Sequence, residues 1–234
     1  MLKSGSLSRA GKCHECLPEN SWDAVMEQDC GDWKAAVVCS GGSGCANGQA
    51  AARLTADALA EYLSVHFERC LLEAPEVLRM EVDGLITEVL TYAAKKAGAD
   101  PAGFGCRVMA AAMDRQGRCC LFHLGDGIVV GKPDDDGDWF TFSYAQRGLS
   151  PGAAGLTMGD TMFRDLRFYR QVQPADRALF LLTGDMPEAF AILPEPEEHP
   201  ELLGSPELLG EPENDCSAAW LIARQEPEPP EPPQ

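Results

Sequence analysis

The strongest constraint on this chain is the order of its apolar patterns. A short apolar run, Lys34–Cys39, ends in glycine-rich Ser40-Gly41-Gly42-Ser43-Gly44. Two long helix-type stretches follow back to back, and after them the sequence switches to short strand-type runs. The spacing predicts a first helix over about Gln49–His66, with Leu54, Ala58, Tyr62 and Val65 on one face. A second is expected over about Glu76–Lys96, with Leu78, Leu85, Val89 and Tyr92 on one side. Asp100-Pro101 and the glycines around it close that unit. Arg107–Met113 and Arg118–Leu124 flank the turn Asp114-Arg115-Gln116-Gly117, which reads as a hairpin. Ile128–Lys132 and Trp139–Tyr144 flank an acidic turn and read as another, and Leu166–Gln173, Arg177–Thr183 and Ser217–Arg224 as further strands. One strand, two helices and then many antiparallel strands is an α+β order. It does not match the alternation of strand and helix that builds a parallel nucleotide-binding sheet.

Charge narrows the partners. Acidic residues number 37 against 19 basic ones, a formal net charge of -18. That sign opposes nucleic-acid binding through phosphate neutralisation and docking on anionic membranes. No apolar run reaches the roughly 18 residues of a membrane span, and MLKSGSLSRAGK has no apolar stretch behind its basic start. The acidity is concentrated late: from Pro187 to Gln234, twelve Asp and Glu face the single Arg224. Within that quarter, about 191–213, PELLG occurs twice, at Pro200–Gly204 and Pro206–Gly210, and reads as a surface excursion with a helical turn at each ELL. The expected organisation is a flexible lead-in over residues 1–11, one domain over 12–224, and a disordered acidic Pro-rich tail over 225–234.

Several motifs are bland when taken singly. Cys13-His14-Glu15-Cys16 has no second ligand pair at zinc-site spacing, since the later pair Cys119-Cys120 sits inside a strand with its side chains on opposite faces. Ten cysteines, several in apolar runs, read as free thiols of a reducing cytoplasm. The glycine-rich loop lacks the Lys-Ser/Thr ending of a P-loop and the spacing of a dinucleotide fingerprint. The aspartates are more telling as a set. Asp23, Asp126, Asp185 and Asp215 each stand at a strand end or turn, where oxygen ligands from distant segments converge in a way that suits Mg²⁺ or Mn²⁺.

Order and spacing together resemble a known family. His14 and Pro18 before Trp22-Asp23-Ala24, AVVCSGGSG followed by Ala51-Ala52-Arg53-Leu54, His123-Leu124-Gly125-Asp126-Gly127, Leu181-Leu182-Thr183-Gly184-Asp185-Met186 and Asn214-Asp215-Cys216-Ser217 are similar, in that order, to the motifs of the PPM or 2C-type metal-dependent serine/threonine protein phosphatases, particularly their compact bacterial branch. The resemblance implies a four-layer αββα sandwich of two antiparallel sheets flanked by helices. It also implies a binuclear Mg²⁺ or Mn²⁺ site, where the metals activate a water against a phosphoserine or phosphothreonine of a protein or peptide. Carried over by position, Asp23, Gly41 (through its carbonyl), Asp126 and Asp185 are the retained site residues. The departures are Ser40, where the family has the metal-bridging Asp, Asn214, where it has another carboxylate ligand, and Met186 in place of a Gly. A hydroxyl or an amide does not neutralise two close divalent cations. The expectation is a phosphatase with weak or lost activity; the alternative is a pseudophosphatase that binds without turnover. A shift of register by one would bring Asp215 into play, but strand alternation turns its side chain the wrong way.

Overall fold

In the computed structural model, residues 1–12, 21–42, 44–133, 137–146, 156–159 and 162–224 are described. The strands are β1 (Leu2–Arg9), β2 (Asp23–Asp29), β3 (Trp33–Gly41), β4 (Cys106–Asp114), β5 (Cys119–Leu124), β6 (Ile128–Lys132), β7 (Phe140–Ser143), β8 (Arg167–Gln171), β9 (Arg177–Leu182) and β10 (Cys216–Ala223). The helices are α1 (Gly48–Leu72), α2 (Pro75–Ala97), α3 (Met162–Asp165), α4 (Met186–Ile192) and α5 (Pro206–Leu209), with 3-10 turns at Pro101–Gly103 and Pro200–Gly204. Two antiparallel five-stranded sheets result, one ordered β1-β10-β9-β6-β7 and the other β2-β3-β4-β5-β8.

Period-two alternation sorts the strand side chains between two cores. Val38, Met109, Ala111, Leu121, Leu179, Leu181, Ala219 and Leu221 meet between the sheets. Their neighbours Val37, Ala110, Ala112, Cys120 and Phe122 face α1 and α2. On the outer face of the other sheet, Phe180, Leu182, Trp220 and Ile222 pack under α4 and the PELLG turns. The layers are therefore helix, sheet, sheet and short helices, the α+β sandwich the sequence implies. Cys119 and Cys120 face the two different cores. Both PELLG copies form single helical turns.

Three expectations need correction. Residues 1–11 are not a flexible lead-in: Leu2–Arg9 is an edge strand that pairs with β10 from Leu2↔Ala223 to Arg9↔Cys216. Gly5 makes this pairing possible, because a Cβ there would lie 2.2 Å from the Trp220 ring. The buried stripe of α1 also lies one position round from the expected one, with Ala51, Ala52, Thr55, Ala56, Leu59, Ala60, Leu63 and Phe67 inside and Val65 exposed. Small residues let the helix approach the sheet closely, so Ala wins the inner face over larger side chains. On α2, Leu78, Val82, Ile86, Leu90 and Ala94 are buried, while Tyr92 is exposed. The Cys13–Cys16 motif, the centre of the acidic turn and the tail lie outside the described residues.

Candidate active-site cleft

The pairing register brings the motifs together at one end of the sandwich. On β2 and β3, Asp23 is directly opposite Ser40, and on β4 Arg107 is directly opposite Ser40 from the other side. The turn Gly125-Asp126-Gly127 leaves β5 at the same end, Thr183-Gly184-Asp185 leaves β9, and Asn214-Asp215 enters β10. Between them is a cleft of about 590 Å3, with Ser40, Gly41, Arg107, Asp126, Asn214 and Asp215 in its wall.

Each expected carboxylate has a particular fate. Asp23 lies behind Ser40, and its Oδ2 accepts a hydrogen bond from Thr183 Oγ1 at 2.9 Å, which ties the two sheets together. Its Oδ1 is buried without a hydrogen-bond partner. Burial pushes the Asp23 carboxyl up from its ordinary value; the Ser40, Ser217 and Thr183 hydroxyls pull the other way, and the Asp215 charge adds to the rise. Asp126 stands 2.9 Å from Arg107 Nε in an ion pair. Asp185 is exposed just before α4, and its backbone N–H donates to Cys216 Sγ. Asn214 is exposed at the cleft wall.

Asp215 does something the sequence does not disclose. Its Oδ1 accepts the Gly11 N–H at 2.9 Å and its Oδ2 the Trp22 N–H at 2.6 Å. The carboxylate thus fastens the chain on either side of residues 13–20 to the start of β10. Arg107 was also missed, although a lone cation inside the apolar run CRVMAAAM is a visible signal. Gly125 makes room for it: at φ +117, a Cβ there would lie 2.7 Å from Arg107 Cβ.

The donor set does not fit two divalent cations. A pair of such ions a few ångströms apart needs several carboxylates for neutralisation, at oxygen distances of about 2.0–2.2 Å for Mg²⁺. Among the described residues, no three His, Cys, Asp or Glu side chains gather in a group able to hold a metal ion. Ser40 and Asn214 are neutral, Asp126 is paired with a guanidinium, and Asp215 is turned to backbone amides. The orphaned Asp23 Oδ1 does favour an added cation.

Sequence and fold agree on the lineage. A family model, Protein phosphatase 2C, matches residues 11–191. The chain belongs to the protein phosphatase 2C family. A search of curated proteins found no match. Among solved structures, a bacterial serine phosphatase superposes with a TM-score of 0.67 at 14% identity, covering 97% of this chain and 100% of that one. Serine/threonine phosphatase Stp1 from Staphylococcus aureus gives 0.64 at 14% identity, with 97% and 96% covered. The catalytic domain of serine/threonine protein phosphatase PstP, in complex with 2 manganese ions, gives 0.60 at 18% identity, with 95% and 99% covered. Members of the 2C fold are thus known with divalent ions, whereas the cleft of this chain is lined by the neutral Ser40 and Asn214 and the basic Arg107 beside Asp126 and Asp215. No helix among its described residues is long and apolar enough to cross a membrane.

Proposed function

We propose that this 2C-type domain recognises serine/threonine phosphoproteins or phosphopeptides at its cleft, in the cytoplasm, and binds them without turnover. The observation that carries this reading is the neutral Ser40, which stands directly between Asp23 and Arg107; the family resemblance assigns it the metal-bridging position. In the active chemistry of the family, Mg²⁺ or Mn²⁺ supplies an activated water and charge neutralisation. Here Ser40 and Asn214 leave that chemistry without two of its ligands. What the chain's own residues do is bind and orient: Asp215 fixes the segments around Gly11 and Trp22 to the cleft wall, and the Thr183–Asp23 hydrogen bond holds the sheets in register there.

The second reading, a metal-dependent phosphatase of low activity, is favoured by the retained Asp23, Asp126 and Asp185 and by the free Asp23 Oδ1. Hydrolysis of p-nitrophenyl phosphate with Mn²⁺ separates the two. The expected rate is near background, and the double variant Ser40→Asp/Asn214→Asp is expected to raise it. Robust turnover by the native chain, abolished by Asp185→Ala, would refute the non-catalytic reading.

A further inference from the structure

Among the described residues that line the cleft one is basic, Arg107, and its setting is unusual. Arg107 lines the cleft wall directly across from Ser40, with its side chain only 16% exposed. A guanidinium so nearly buried is strongly disfavoured unless its donors are used. Its charge is met by Asp126 through Nε, at a distance that suits an ion pair but at an angle that makes no hydrogen bond. No hydrogen bond to its terminal nitrogens is found among the described residues. Gly125, at a positive φ, lies against the Arg107 stem where any side chain would collide, so the turn that presents Asp126 is also shaped around the arginine. Asp126 itself is half exposed, its side chain 49% accessible.

We propose that Arg107 binds the phosphate of a phosphomonoester directly and without metal, and that Asp126 is the internal competitor the phosphate must displace. This deepens the proposed phosphoprotein reading and rests on it. The guanidinium offers up to five donors in a planar fork, which matches phosphate oxygens at two points where the carboxylate now uses one poorly. The other acids are already engaged. Asp215 takes two backbone amides, and Asp23 sits behind the Ser40 hydroxyl with Thr183 donating to it. Exchange of Asp126 for phosphate keeps the buried cation paired throughout, so the ligand need not bring a counter-ion.

The test is calorimetric titration of the full chain with inorganic phosphate, and with a phosphothreonine peptide, in buffer containing EDTA. Saturable binding is expected in EDTA. Arg107→Gln should weaken it about tenfold or more, as expected for loss of a charge-assisted pair. Asp126→Asn should tighten it several-fold. Phosphate binding that vanishes in EDTA and returns with Mn²⁺ would overturn the proposal, as would an affinity indifferent to Arg107→Gln or weakened by Asp126→Asn. If Arg107→Gln does not fold by circular dichroism, the Asp126→Asn result decides alone. Because no turnover is read, the outcome is separable from that of the phosphatase assay. A chain that hydrolyses with Mn²⁺ yet binds phosphate in EDTA through Arg107 refutes the non-catalytic reading and supports this one.

Discussion

Placing an acid at position 40 should destabilise the metal-free protein. Ser40 and Asp23 are directly opposed on adjacent antiparallel strands, where Cβ atoms stand about 4.5–5.5 Å apart. Two carboxylates at ~5 Å in an effective dielectric near 20 repel by ~3 kcal/mol. Loss of the Ser40 hydroxyl beside Asp23 removes ~1 kcal/mol more. In a domain of this size each kcal/mol shifts Tm by about 2–4 °C, so the combined ~4 kcal/mol of Ser40→Asp in EDTA should lower the melting point about 8–16 °C below the native chain at neutral pH. The sign with pH is fixed. Repulsion and burial hold both carboxyls above their unfolded values, so the penalty is full above the folded pKa and disappears as pH falls to about 4. Mn²⁺ should recover much of the loss in the variant, at about 2.7 kcal/mol when its concentration is 100 times Kd, and leave the native chain unchanged. Differential scanning fluorimetry in EDTA and in Mn²⁺ measures both. A variant as stable as the native protein in EDTA, or a native protein markedly stabilised by Mn²⁺, would show that the cleft is already a cation site.

Other perturbations test the frame around the cleft. His123 is fully buried between the sheets, with its pKa pushed down to about 4 mainly by burial and with Arg167 adding to the fall. Its folded value lies below the unfolded one, so stability is lost as pH falls from about 6.5 towards 4; urea melts should show ~2 kcal/mol less at pH 5 than at pH 7, a difference His123→Asn should remove. Deleting residues 1–9 removes the eight-position pairing with β10 and bares Trp220, so Tm should drop by about 8–16 °C, for ~4 kcal/mol of cross-strand pairs; an unchanged Tm would mean that β1 is not integral to the sheet. Gly117 sits at φ +76, with the Ala175 carbonyl oxygen 1.9 Å from where a Cβ would stand, so Gly117→Ala should cost at least ~2 kcal/mol in chemical denaturation. A neutral result would place that turn in another conformation.

Much of the molecule is written locally. The two long helices, the hairpin at Asp114–Gly117 and the helical turns in PELLG follow from periodicity and turn chemistry over a few residues, and the structure has them all. The motif order pointed to the family, and the neutrality of Ser40 was legible because a single residue type decides whether that position is charged. What the sequence did not determine depends on partners far away in the chain. β1 is rich in Ser and Gly and carries no apolar alternation, and it becomes a strand because β10, more than 200 residues later, offers a free edge and a tryptophan that fits over Gly5. The inner face of α1 was set by how closely alanines let it approach the sheet, not by where its largest apolar side chains lie. In the cleft, sequence named the aspartates but not their occupations: Asp215 turned to the amides of Gly11 and Trp22, Asp126 to Arg107, and Asp23 to Thr183. A carboxylate's role is fixed by which donors lie within about 3 Å of it, and only the meeting of distant strands decides that.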